Sequence, residues 1–256
     1  MNFRMIGVRI DNLAKIEVLE RIKGFFVDGA QHIICTPNPE MLVAARKDEF
    51  FAEILNDSDL NVCDGKGIQL LSRGRVHRIP GVDLMQEICM MAEENDKKIY
   101  LLGSGDSDVV KKCAENLQRQ HSRLQVVGLH PGIRITSLDD KQIAYSETEN
   151  DALLERIIMA APDILFVAFG HEKQEKWIYE NLKHLPSVKV AMGVGGAFDF
   201  ISGKTKRAPQ LIQRVGMEWL WRLIHQPWRV KRIWNATALF LWYVLLDRKQ
   251  DLKKTP

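Results

Sequence analysis

Up to residue 202 of this 256-residue chain, short runs of β-branched and aliphatic residues alternate with longer stretches whose apolar positions recur every three or four residues. The runs predict strands over 5–10, 32–35, 60–63, 98–102, 124–129, 164–169 and 188–192. The stretches between them predict helices over 13–26, 39–55, 67–72, 82–94, 107–120, 152–161 and 173–182. Strands this continuously apolar belong in a sheet covered on both faces, so the expected class is α/β, a mostly parallel sheet with helices on both sides. Residues 130–150 are polar and aperiodic, and are expected to form a mobile excursion. In such sheets ligands bind at the carboxyl ends of the strands.

The pattern changes at Gly203. Two helices are predicted over 216–224 and 227–246, separated at Pro227, and in the second Val230, Trp234, Thr237, Leu241 and Leu245 form one stripe. Residues 203–256 hold twelve Lys or Arg against three acids, a charge of +9; since the whole chain is +3, residues 1–202 carry −6. Five of the six tryptophans also lie there. Cations interleaved with indoles suit an anionic bilayer surface, where Lys and Arg meet phosphates and Trp lodges at the interface. A helical layer with Trp in its core or in an oligomer interface, or a grip on nucleic acid, would use the same composition. The longest apolar run, 236–246, has eleven residues, whereas a membrane-spanning helix needs about twenty. The organisation expected is therefore a body, 1–202, on a membrane-associating appendage, 203–256. No signal-peptide h-region is visible at the start, which points to the cytoplasmic side of the membrane.

Cys35, Cys63, Cys89 and Cys113 are widely spaced, with no CxxC and no His at ligand spacing, and read as reduced buried thiols. Two Asp-x-Asp triplets, Asp57-Ser58-Asp59 and Asp106-Ser107-Asp108, precede a strand and cap a helix, so no metal is expected on them.

The polar residues that carry chemistry fall at predicted strand ends. Cys35-Thr36-Pro37-Asn38-Pro39 holds a hydroxyl and an amide at one mouth, with Asn38 and Pro39 also suited to start a helix. Asp64 in Cys63-Asp64-Gly65-Lys66-Gly67 reads either as a general base or as a helix cap. Arg78 is placed to clamp a phosphate or carboxylate. Gly103-Ser104-Gly105-Asp106 opens a helix after a strand, the setting for phosphate binding, but it is an incomplete dinucleotide fingerprint. Lys173 and Gln174 open another helix, where a cation opposes the dipole and an anionic ligand would relieve it. Gly193-Val194-Gly195-Gly196-Ala197-Phe198-Asp199 permits close approach of a ligand, with Asp199 able to accept from a base or ribose.

Taken in order, Thr36-Pro37-Asn38, Asp64-Gly65-Lys66-Gly67, Arg78 with Pro80-Gly81-Val82-Asp83, Lys173-Gln174-Glu175, Gly193-Val194-Gly195-Gly196, Lys206-Arg207-Ala208-Pro209 and Gly216-Met217-Glu218-Trp219-Leu220-Trp221-Arg222 resemble the bacterial WecG/TagA/CpsF glycosyltransferases. The resemblance implies a Rossmann-like body and an inverting, metal-independent transfer of a sugar, by default N-acetylmannosamine. The donor would be a UDP-sugar and the acceptor an undecaprenyl-diphosphate-linked sugar at the cytoplasmic membrane face, in cell-surface polysaccharide or teichoic acid synthesis. No cofactor is implied, UDP-sugar being a substrate. Asp64 would be the base, with Thr36 and Asn38 positioning the reacting sugars. Arg78, Lys173 and Gln174 would meet phosphate or sugar oxygens, and Gly195, Gly196 and Asp199 would line the nucleotide. Arg207, Arg214, Arg222, Arg229 and Arg232 would meet the lipid diphosphate and the membrane. The family often has Gly-x-Pro-Lys-Gln-Glu where this chain has Gly170-His171-Glu172-Lys173-Gln174-Glu175. A soluble nucleotide-dependent oxidoreductase using the Gly103 loop and a non-enzymatic nucleic-acid adaptor are the alternatives, and a homo-oligomer is compatible with either reading.

Overall fold

A computed structural model describes residues 2–138, 142–209, 211–212, 218–225, 227 and 230–254. Six parallel strands form the central sheet: β3 (His32–Cys35), β4 (Leu60–Asn61), β5 (Lys98–Gly103), β6 (Gln125–His130), β9 (Ile164–Ala168) and β10 (Val190–Gly193), in the order β4-β3-β10-β9-β5-β6. The two strands in the middle of the order, β9 and β10, are buried at every position. Continuous apolar runs are what a strand covered on both faces requires.

On one face α1 (Lys15–Phe25), α5 (Gly81–Glu94), α6 (Ser107–Gln120) and α9 (Ala197–Ile201) bury Ile22, Leu84, Ile88, Val110, Leu117 and Phe198 against the sheet. On the other, α7 (Glu147–Ala160) and α8 (Lys173–Asn181) bury Leu153, Ile157, Trp177 and Ile178. A third cluster joins α2 (Pro39–Ala45) and α3 (Glu49–Asp57) to the N-terminal segment and to Phe240 and Val244 of the tail. The parallel α/β architecture expected from the alternation is thus present, with both faces covered.

Several local expectations are corrected by longer-range contacts. The single strand predicted over 5–10 is an antiparallel hairpin, β1 (Asn2–Met5) with β2 (Val8–Asp11), turning through Ile6 at φ 51° and Gly7 at φ 78°. Two successive positive φ values match the right-handed strand twist, as two-residue hairpins require. The helix predicted over 39–55 is two helices. Asp48 breaks it by accepting from the Phe51 amide (3.0 Å) as an N-cap, while its other oxygen meets buried Lys176 of α8 at 2.6 Å. The excursion expected at 130–150 contains a short antiparallel pair, β7 (Thr136–Ser137) with β8 (Ile143–Ala144), and the start of α7 under a Ser146 cap.

Past α9, part of the described tail packs on the body through Phe240 and Val244. The helices are α10 (Glu218–His225), α11 (Val230–Trp234) and α12 (Phe240–Lys254), the last two joined by a π-helical turn over Asn235–Leu239. Phe240, 1% exposed, packs over Gly67 of α4 (Lys66–Leu71). The stripe expected to be apolar faces outward: Val230, Trp234, Leu241 and Leu245 are exposed, as is Trp242. Among the described residues no helix is long and apolar enough to cross a membrane.

Candidate active site

The carboxyl ends of β3, β4, β10, β9 and β5 open into one cavity of about 780 Å³. Its floor is made of the loops that follow these strands, and Ile233, Ala236 and Thr237 of the tail line it from above. Thr237 lies in the π-helical turn and donates its hydroxyl to the Ile233 carbonyl (2.7 Å). One helix therefore uses three faces: Thr237 and Ala236 on the cavity, Phe240 and Val244 on the core, and Trp234 and Leu241 outside.

At one end of the cavity the chain brings a hydroxyl and a carboxylate together. Asn38 caps α2 by accepting from the Met41 amide (3.0 Å), with Pro39 at the first helical position, and this fixes the loop that carries Thr36. The Asp64 amide donates to the Pro37 carbonyl (3.0 Å), tying the β4 loop to the β3 loop. Both side chains then converge on the space over Gly81, the first residue of α5. A Cβ built on Gly81 would stand 3.1 Å from Thr36 Oγ1 and 3.6 Å from Asp64 Oδ2. The positive end of a fourteen-residue helix favours negative charge at that point. Thr36 is itself buried, 9% exposed.

Two guanidinium groups flank this pair. Arg78 donates Nε to the Asp64 carbonyl (2.7 Å), and its Nη2 lies 3.7 Å from Glu218 of α10. Arg207 pairs with Asp83 through Nη1 (2.5 Å), and its Nε stands 3.9 Å from Glu218. Arg207 Nη2 is buried with no hydrogen-bond partner among the described residues. Glu218 lines the cavity, so a carboxylate from the tail sits between two arginines from the body and the connecting loop.

The middle of the cavity is formed by the loop after β10, held from beneath. Gln174 accepts from the Gly195 amide (2.9 Å) and donates to Glu175 Oε1 (2.7 Å), and both side chains are buried. Gly193 has to be glycine: a Cβ there would come within 2.6 Å of Gln174 Nε2 and 2.8 Å of Glu175 Oε1. Burial pushes the Glu175 carboxyl above its ordinary range, and its Oε2 has no partner among the described residues. His171 lines the cavity beside Glu40 (3.7 Å) and Glu172 (3.4 Å). Glu172 stands at φ 70°, ψ −53°, a conformation that the ring of a proline forbids, so this turn has its own backbone path.

Of the residues anticipated from sequence, Thr36, Asn38, Asp64, Arg78, Gln174, Gly195, Gly196 and Asp199 all line this one cavity. Lys173 is not among the lining residues; its Nζ donates to the Ile135 carbonyl (2.8 Å). Arg207 lies behind the rim on Asp83. Arg214 and Arg229 fall outside the described residues, as do the side chains of Arg222 and Arg232. Glu218 and Ser104 line the cavity without having been singled out as site residues. Glu218 is one of only three acids in a basic tail, a signal the sequence carried. Among the described residues no group of three or more His, Cys, Asp or Glu could hold a metal ion, and Asp59 and Asp106 are engaged with His32 and Lys204.

A parallel α/β sheet whose strand ends gather an acid, a hydroxyl and an arginine along one cleft is the frame of a Rossmann-like group-transfer enzyme. The class can be narrowed by comparison. The chain belongs to the WecG/TagA/CpsF glycosyltransferase family, whose model matches residues 3–254. It is similar to proteins named N-acetylglucosaminyldiphosphoundecaprenol N-acetyl-beta-D-mannosaminyltransferase from Staphylococcus aureus strains MW2, NCTC 8325 / PS 47 and COL. Each is 30% identical over 256 residues, covering 98% of this chain and 94% of the relative. Family membership makes the protein a glycosyltransferase and decides against the oxidoreductase reading of the Gly103 loop.

Proposed function

We propose that this enzyme moves N-acetylmannosamine from a UDP-sugar to an N-acetylglucosamine carried on undecaprenyl diphosphate, with inversion and without a metal, at the cytoplasmic membrane surface. The observation that carries the reading is the convergence of Thr36 Oγ1 and Asp64 Oδ2 over Gly81, beside Arg78. In the transfer, an acceptor hydroxyl attacks the anomeric carbon of the donor sugar and gives its proton to Asp64. The new bond from that carbon to the acceptor oxygen forms as its bond to the β-phosphate oxygen breaks, and UDP leaves. Charge developing on the leaving diphosphate would be met by Arg78, whose N–H groups suit phosphate oxygens. Thr36 and Asn38 would orient the sugars, and residues 193–199, from the end of β10 into α9, the nucleotide.

The membrane assignment is supported by the outward apolar stripe. Exposed Trp234 and Trp242, with Val230, Leu241 and Leu245, lie on a tail that carries +9. Such a surface lies in the interface of an anionic bilayer rather than across it. It would hold the cavity roof next to the head-group of a lipid-linked acceptor.

The test is UDP release from UDP-N-acetylmannosamine with a polyprenyl-diphosphate-linked N-acetylglucosamine, in the presence and absence of EDTA. Acceptor-dependent, EDTA-resistant release is expected. Asp64→Asn should lower the rate by about 10²–10⁴-fold, the range for loss of a general base. Near-normal transfer by folded Asp64→Asn, or inhibition by EDTA reversed by a divalent cation, would overturn the mechanism.

A further inference from the structure

The Gly103-Ser104-Gly105-Asp106 loop has the sequence of a phosphate-binding turn, yet the amides of Ser104 and Gly105 are spent. The Ser104 amide donates to the Ala168 carbonyl and the Gly105 amide to the Pro131 carbonyl, both at 2.8 Å. Asp106 occupies the N-terminus of α6, accepting from the Asp108 amide (3.0 Å) and the Val109 amide (3.4 Å), and Lys204 neutralises it at 2.8 Å. The Ser104 and Gly105 amides are thus taken, and Asp106 paired with Lys204 leaves no net positive charge for an anion to meet here.

What remains is the Ser104 side chain. Ser104 lines the cavity, and its Oγ is buried with no hydrogen-bond partner among the described residues. Its backbone stands at φ 76°, where any residue with a Cβ is strained and glycine is not. A serine that accepts this strain and hides an unsatisfied hydroxyl is badly explained by folding alone. A ligand that bonds the hydroxyl explains both features.

Position says which part of the ligand. Asp64 follows β4 and Ser104 follows β5, four strand steps along the sheet. At the usual strand separation that is about 19 Å. A nucleotide-sugar laid along the cleft with its sugar at Asp64 and its diphosphate beside Arg78 turns its nucleoside toward β5. Asp199, in the first turn of α9 after β10, lines the same cavity.

We infer that Ser104 is a substrate-contacting residue that hydrogen-bonds the nucleoside of the donor and selects for it. The inference rests on the nucleoside-diphosphate donor proposed above. The test compares the binding of UDP and of inorganic pyrophosphate to the full chain by titration calorimetry, for the wild type, Ser104→Ala and Ser104→Gly. Both variants should weaken UDP about tenfold, the worth of one good hydrogen bond, while pyrophosphate binding stays unchanged. Ser104→Gly should also melt about 2 °C higher, because glycine relieves the strained φ. A merely structural serine would lower the melting temperature and leave the ratio of UDP to pyrophosphate affinity alone. Equal UDP binding by all three proteins would overturn the role of Ser104 and leave the donor reading standing. Equal weakening of UDP and pyrophosphate would overturn the nucleoside assignment. A wild type that binds neither would overturn the donor reading and this inference with it.

Discussion

Replacing Gly81 by alanine adds one methyl group at the point where the proposed reacting groups meet. The structure separates its effect on stability from its effect on rate. Gly81 opens α5 after Pro80, and its φ is not positive, so the backbone admits alanine. Helix propensity should then leave stability equal or raise it by up to about 1 kcal/mol. The new Cβ stands 3.1 Å from Thr36 Oγ1, 3.5 Å from Thr36 Cβ and 3.6 Å from Asp64 Oδ2. An ordinary carbon–oxygen contact is roughly 3.4 Å or more, so the Thr36 hydroxyl must retreat by about 0.3 Å. Misplacing reacting groups by 1 Å costs about 100-fold, and the methyl also takes space next to Asp64. The expected outcome is a fall of about 10- to 100-fold in kcat with the melting temperature unchanged or higher. UDP release under saturating substrates and a thermal melt of the same sample give the two numbers. Full activity in folded Gly81→Ala would refute the reasoning, since it would mean that chemistry does not pass between Thr36 and Asp64. A loss of rate that only tracks a loss of fold would refute it equally.

Other outcomes follow from the same geometry. Lys176→Met leaves Asp48 buried without its cation at the start of α3, and should lower stability by about 3–5 kcal/mol in urea unfolding. Glu175 is expected to set a pH dependence of stability. Its native carboxyl holds its proton above the ordinary value of 4.5, so the native state binds more protons than the unfolded chain and stability falls as pH rises from 4.5 through the raised native value. Glu175→Gln keeps an oxygen for Gln174 and should therefore raise the melting temperature more at pH 8 than at pH 5. Glu218→Gln removes the carboxylate between Arg78 and Arg207 and should tighten UDP binding by calorimetry about tenfold, with a steeper salt dependence. Trp234→Ser combined with Trp242→Ser should reduce partition onto anionic vesicles in a sedimentation assay about tenfold or more, as loss of two interfacial indoles requires.

Much of this is legible in the sequence itself. The alternation of apolar strands with amphipathic helices determined a parallel α/β sheet, because a strand apolar at every position has to be covered on both faces. Asn38 before Pro39 announced a helix start, since a capping amide and a preset φ act within one turn. The order of the glycine, acid and arginine motifs was enough to point to a glycosyltransferase family. The +9 charge and the tryptophans marked the tail as a different surface from the body.

Tertiary structure decided what depends on partners far along the chain. The helix over 39–55 breaks at Asp48 because Lys176, 128 positions later, needs a buried counter-charge. Periodicity carries no record of that. The Gly-Ser-Gly loop looked like a phosphate cradle until Ala168 and Pro131 took its amides, and hydrogen bonds to other strands leave no mark on a motif. Val230, Trp234, Leu241 and Leu245 form a stripe in the sequence, but a stripe does not say whether protein covers it. It is Phe240 and Val244, a different face of the same helix, that enter the core. Thr36 and Asp64, 28 residues apart in sequence, become a pair only because α5 starts with a residue lacking a side chain beneath both. Local sequence sets which conformations a segment can take and which side it hides; which groups then face one another is set by packing between segments, and the chemistry lives there.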